Sequence, residues 1–135
     1  MLGIQIGVRY THKRHFVILL IVKEKAMFQM LTCFDLKPGF SLEGFQQSLA
    51  DYTEHMHKLD LVESRGPIGM RQSDTIMDTD NERKHKYFVL MNFRDKAQSD
   101  KAIDYIKTHQ EPGDSIHKKV YSKVQNQIFI CWQDI

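Results

Sequence analysis

"YFVLMNF" (Tyr87–Phe93) is the stretch on which the fold turns, because it refuses to alternate. Phe88 and Leu90 stand on one side of an extended chain; Tyr87, Val89 and Met91 stand on the other. Successive side chains of a strand point to opposite faces. A strand with one face in water therefore alternates apolar with polar. This one wants both faces covered. "MFQMLTCFDL" (Met27–Leu36) repeats the pattern, with Phe28, Met30 and Phe34 against Leu31 and Cys33. So does "QIFICW" (Gln127–Trp132), with Phe129 and Cys131 against Ile128, Ile130 and Trp132.

Helices lie between these strands. After the break "KPGF", Ser41 is an N-cap and Glu43 falls in the first turn, where the helix dipole favours negative charge. Leu42, Phe45, Leu49, Tyr52, Met56 and Leu59 follow at spacings of three and four, which predicts an amphipathic helix over about 41–60. Asp95 with Gln98 starts a second helix in the manner of a capping box, and Ala102, Ile103 and Ile106 supply its inner face up to "EPGD". "LVESRGPIGMRQS" reads as an irregular strand. Pro67 removes a ladder donor there, and Gly66 and Gly69 weaken pairing, so it belongs at a sheet edge. "DTIMDTDNERKHK" is a polar loop, and "HKKVYSKVQN" a connector with room for a turn of helix.

The resulting order is β-α-β-β-α-β. It predicts an α+β, ferredoxin-like sandwich: a four-stranded antiparallel sheet of order 4-1-3-2 with two helices on one face. Two helices cover one side only. The other side then calls for a second copy packed sheet against sheet, a homodimer, in preference to cover by the N-terminal hairpin of the same chain. Cys33 and Cys131 fall on neighbouring strands of this arrangement. They form no metal or C-x-x-C pattern, and read as small apolar residues of a reducing, cytoplasmic compartment.

The chain of 135 residues is most simply one domain over 27–135 with an extension over 1–26. The extension reads either as a β-hairpin with "THKRH" as its loop or as a poorly ordered segment. Its apolar run "FVILLIV" is far short of the roughly 20 residues a membrane helix needs, so no membrane role is read from it. Residues 1–26 carry five basic residues (Arg9, Lys13, Arg14, Lys23, Lys25) against Glu24, a net +4. Residues 27–135 hold 14 basic against 16 acidic, a net −2. The main body has no positive surplus for phosphates, and its third strand lacks the glycines of RNA-recognition domains. Nucleic-acid binding is therefore disfavoured.

"ESRGPIGMRQSD", "MDTDNER" and "QIFICWQD" resemble segments of a small group of bacterial dimeric ferredoxin-like proteins, and Met27–Ile135 as a whole resembles the dimeric α+β-barrel superfamily. That superfamily includes stress-responsive Dabb proteins and antibiotic-biosynthesis monooxygenase-like proteins. The resemblance implies a homodimeric α+β barrel with a pocket between sheet and helices in each subunit. It implies no particular reaction, because the superfamily shares no catalytic motif.

Chemistry-bearing constellations are few. His55 and His57 in "EHMHKLDL" point about 160° apart on a helix, so they cannot chelate one ion, although His55 borders the apolar stripe. Asp78, Asp80 and Glu82 evoke a calcium loop, but its sixth and twelfth positions are Arg83 and Val89 in place of Gly and Glu. No metal site and no cofactor motif is read. A mixed apolar and polar pocket is assembled from Tyr52, His55, Arg71, Asn92 and Trp132. The functional expectation is a small-molecule-binding protein or cofactor-independent enzyme; the alternative is a non-catalytic dimeric protein-interaction module. The first requires a cavity, the second a filled interior.

Overall fold

A computed structural model of the chain describes residues 3–10, 16–23 and 26–135. The N-terminal segment forms an antiparallel two-stranded sheet of β1 (Gly3–Tyr10) and β2 (Phe16–Lys23), separate from the main sheet. The residues expected to make its loop lie outside those described.

The main sheet contains β3 (Phe28–Leu36), β4 (Ser64–Arg65), β5 (Gly69–Met70), β6 (Tyr87–Phe93) and β7 (Val124–Gln133). It runs β4-β6-β3-β7, and β5 also pairs with β6. All pairings are antiparallel. Three helices accompany it: α1 (Leu42–Lys58), α2 (Lys96–Lys107) and α3 (Gly113–Tyr121).

These findings correct the expected architecture in three respects. There are five strands in place of four, because Pro67 and its neighbouring glycines split the edge strand into β4 and β5. Among the described residues there are three helices in place of two, because the expected connector forms α3. And the sheet is open. Its outer strands, β4 and β5 on one side and β7 on the other, do not pair with each other, so the expected α+β barrel is not formed.

Local chemistry explains the helix ends. Ser41 Oγ accepts from Gly44 N at 3.0 Å, which caps α1. At the other end Leu61 N donates to Met56 O at 2.9 Å and Asp60 N to His57 O at 3.0 Å. That is a Schellman closure with Asp60 at the left-handed position, φ 58°. Arg94 then pairs with Asp60 at 3.0 Å and Glu63 at 2.8 Å, and holds the Asp60 carboxyl below its ordinary range. Asp95 caps α2 by accepting from Gln98 N at 2.8 Å. The Gln98 side chain, 1% exposed, accepts from Arg94 N and donates to Asp60 O and Glu63, so a buried amide is fully used in joining α2 to the turn after α1.

Register sorts the two faces. Phe28, Met30, Thr32 and Phe34 share the helix side with Tyr87, Val89, Met91 and Phe93. Phe34, Phe45, Leu49, Met56 and Val62 form the centre of the core there. On β7 a bulge intervenes: Cys33 faces Ile128 but Asp35 faces Gln125. The extra residue is absorbed with Asn126 at φ 57°, a conformation Asn tolerates. The bulge puts Val124 on the same side as Phe129 and Cys131 despite their odd spacing. The opposite face carries Leu31, Leu90 and Ile130 in one cross-strand row and Gln29, Asn92 and Trp132 in another.

Cys33 and Cys131 lie on neighbouring strands but on opposite faces, and both are free. Cys33 is 2% exposed, and burial pushes its thiol pKa up. No helix among the described residues is long and apolar enough to cross a membrane.

Candidate functional site

A cavity of about 450 Å³ lies between the sheet and the three helices. Its existence follows from a length mismatch. The nine residues of α3 span about 14 Å, whereas the ten residues of β7 span about 33 Å. Helix α3 covers the start of β7, where Val124 is buried. Farther along the same face Phe129 is 57% exposed and Cys131 is also exposed, although both line the cavity. The β7 side is thus the open side of the recess.

The walls are Met30, Phe34, Phe45, Leu49, Met56, Val89 and other apolar side chains. The uncharged polar groups Thr32, Ser99 and Gln127 interrupt them, and among the described residues no Asp, Glu, Lys or Arg lines the space. Two ionisable rings stand out. Tyr52 projects from α1 and His117 from α3, with ring centroids 5.3 Å apart and planes at 33°. Tyr121, one turn after His117, meets the His117 ring edge-on at 4.9 Å. Burial raises the Tyr52 pKa, so the phenol keeps its proton; burial lowers that of His117, so the imidazole is neutral near pH 7.

The sheet divides the five residues named from the sequence. Tyr52 lines the cavity. His55, on the same helix, instead meets the Tyr105 hydroxyl at 2.8 Å. Arg71, Asn92 and Trp132 lie on the far side. Arg71 spends its guanidinium on the loop after β5: Nε and Nη2 grip the Asp78 carboxylate, each at 2.8 Å, and further bonds reach the carbonyls of Asp80 and Arg83. This draws the loop over Cys33 and Phe88. Asn92 Nδ2 donates to Ser64 Oγ at 2.8 Å, and Trp132 Nε1 to Asp134 at 3.2 Å.

His117 was not among the residues named from sequence. The available signal was Ile116 and Val120, four apart after "PGD", which places one apolar stripe on a short helix and His117 and Tyr121 together beside it. Among the described residues no group of three or more His, Cys, Asp or Glu is arranged to hold a metal ion.

Neither a protein-family model nor a curated protein matches the sequence. Solved structures do match the fold. A crystallised Arabidopsis thaliana protein superposes with TM-score 0.61 at 10% identity, over 80% of this chain and 95% of that one. Hydroxynitrile lyase from Passiflora edulis gives 0.55 at 11% identity, over 83% and 96%. A dimeric ferredoxin-like protein of unknown function from Jannaschia gives 0.54 at 14% identity, over 78% and 97%. At such identities the likeness establishes the ferredoxin-like fold.

Proposed function

We propose that the chain is a small-molecule-binding protein or cofactor-independent enzyme whose ligand occupies the cavity between the sheet and the helices. The carrying observation is the cavity itself. Its volume falls within the range of small-molecule sites, and its apolar walls bear a few polar groups, as such sites do. Tyr52 and His117 are the residues assigned to the ligand. The likeness to a hydroxynitrile lyase supports the reading only to this extent: the same fold accommodates small-molecule chemistry in that protein.

The proposal includes a homodimer formed through the face opposite the cavity. The row Leu31, Leu90, Ile130 is an apolar strip there, with Ile130 and Trp132 exposed in the single chain. A second copy presenting the same strip removes both from water. The similar Jannaschia protein is itself dimeric.

The test is a thermal-shift screen of uncharged organic compounds on the purified chain. A true ligand raises Tm with its concentration by linkage. Ala102→Leu, which adds bulk to a buried wall residue, abolishes the shift. A screen without a stabilising compound, or one whose hits ignore Ala102→Leu, rejects the cavity as the site.

The alternative, a protein-interaction module, is favoured by one observation. Ile76 and Met77, at the tip of the loop held by Arg71, are 93% and 83% exposed. Ile76→Asp with Met77→Asp weakens a partner complex under that reading and leaves ligand stabilisation untouched under the first.

A further inference from the structure

Of the polar groups that line the cavity, the Tyr52 hydroxyl and the His117 ring stand close together. Among the described residues neither the Tyr52 hydroxyl nor the His117 ring takes part in a hydrogen bond, and both line the recess. Both face the recess from neighbouring helices, with ring centroids 5.3 Å apart, so their polar atoms come within reach of one bound group. A site that presents such groups without a protein partner is selective for a ligand that completes them.

The kind of group follows from the donors and acceptors. A protonated phenol donates its O–H. A neutral imidazole offers one N–H and one bare nitrogen. A ligand hydroxyl accepts from Tyr52 and donates to the bare nitrogen; a carbonyl oxygen accepts from Tyr52 and from the imidazole N–H. A carboxylate or phosphate would bring net charge into a space that no Lys or Arg among the described residues lines, and its desolvation would go uncompensated. An ammonium lacks a carboxylate for the same reason. The remainder of the ligand meets Phe34, Phe45, Leu49 and Met91, surfaces that match an apolar body.

The geometry points to an uncharged, largely apolar ligand bearing one neutral oxygen function, hydroxyl or carbonyl, held at that oxygen between Tyr52 and His117. This rests on the reading of the cavity as a ligand site and narrows it to a chemical class.

Four probes of nearly one shape test it: 2-naphthol, 2-acetylnaphthalene, naphthalene and 2-naphthoate, titrated into the full chain by fluorescence or calorimetry. The expected result is that 2-naphthol, 2-acetylnaphthalene or both bind about tenfold tighter than naphthalene, the worth of one buried hydrogen bond, and that naphthoate binds weakest. Which of the two leads separates hydroxyl from carbonyl. In Tyr52→Phe and His117→Phe the favoured probe falls towards naphthalene, whose own affinity hardly changes. Should His117→Phe fail to fold, Tyr52→Phe, which removes a single oxygen, carries the comparison. Equal affinity for naphthalene and both oxygenated probes overturns the inference, as does naphthoate binding tightest or a preference that survives both substitutions. In each of those cases the cavity still binds. Failure of all four probes instead rejects the cavity as a ligand site, and the inference with it.

Discussion

The Tyr105 hydroxyl and His55 Nε2 lie 2.8 Å apart, with ring centroids at 5.8 Å, and fasten α2 to α1. His55 does not line the cavity. His55→Ala therefore lowers stability by about 1 kcal/mol, the ordinary worth of such a bond, and leaves the affinity of a cavity ligand unchanged. Chemical denaturation and ligand titration on the same variant check both halves.

Gly113, the first residue of α3, approaches the same tyrosine. A Cβ at that position would stand 2.3 Å from the Tyr105 hydroxyl oxygen and 2.8 Å from its ring carbons. Gly113→Ala forces α3 and Tyr105 apart, with an expected loss of about 1–3 kcal/mol. Combining it with Tyr105→Ala recovers part of that loss, so the double variant is less destabilised than the two single effects added together. Simple additivity in the double-mutant cycle would show that the contact is not the cause.

Arg71 holds its loop by four bonds, and the Asp78 carboxyl is kept below its ordinary value of 3.8 by that guanidinium. Arg71→Ala frees the segment, and limited trypsinolysis then cuts at Arg83, Lys84 or Lys86 at least several-fold faster than in the parent chain. Arg71→Lys protects poorly, because an ammonium cannot reproduce the bidentate grip.

Stability falls with acid in two ranges. His117 has a folded pKa below its ordinary 6.5, so the unfolded chain takes up the proton first. Its penalty is absent above pH 6.5 and grows as pH falls from there through the folded value. Asp60 and Asp78 also have depressed values, from 3.8, so their contribution is complete above pH 3.8 and is lost as pH falls through the folded values. His117→Phe flattens the upper range of a Tm-against-pH curve and leaves the lower one.

Ile130→Lys places a charge at the β7 end of the apolar strip opposite the cavity. Sedimentation is expected to show a dimer for the parent chain and a monomer for the variant, with secondary structure unchanged by circular dichroism. A monomeric parent would remove the homodimer from the proposal.

Much of this fold is legible because its signals are local. Ser41 and the stripe from Leu42 to Met56 mark α1, and Asp95 with Gln98 marks the start of α2, since capping and amphipathic spacing are written within one or two turns. Helix α3 is harder to read. Nine residues give it only the pair Ile116 and Val120, and Pro112 with Gly113 at its start looks like a break. The site is less legible for the same reason. Tyr52 follows from the α1 stripe, but His117 depends on α3 being seen. Asn92 and Trp132 have the right chemistry for a pocket, yet strand parity, with both paired to Gln29, sends them through the sheet to its other side.

The placement of the two thiols gives the natural protein a practical handle. Cys33 is sealed beneath the Arg71 loop, whereas Cys131 stands at the accessible rim of the recess. An environment-sensitive dye with maleimide chemistry would settle on the second alone, with no engineered residue. Its emission would then report occupancy in real time, which makes the labelled chain of natural sequence a sensor for whatever enters it.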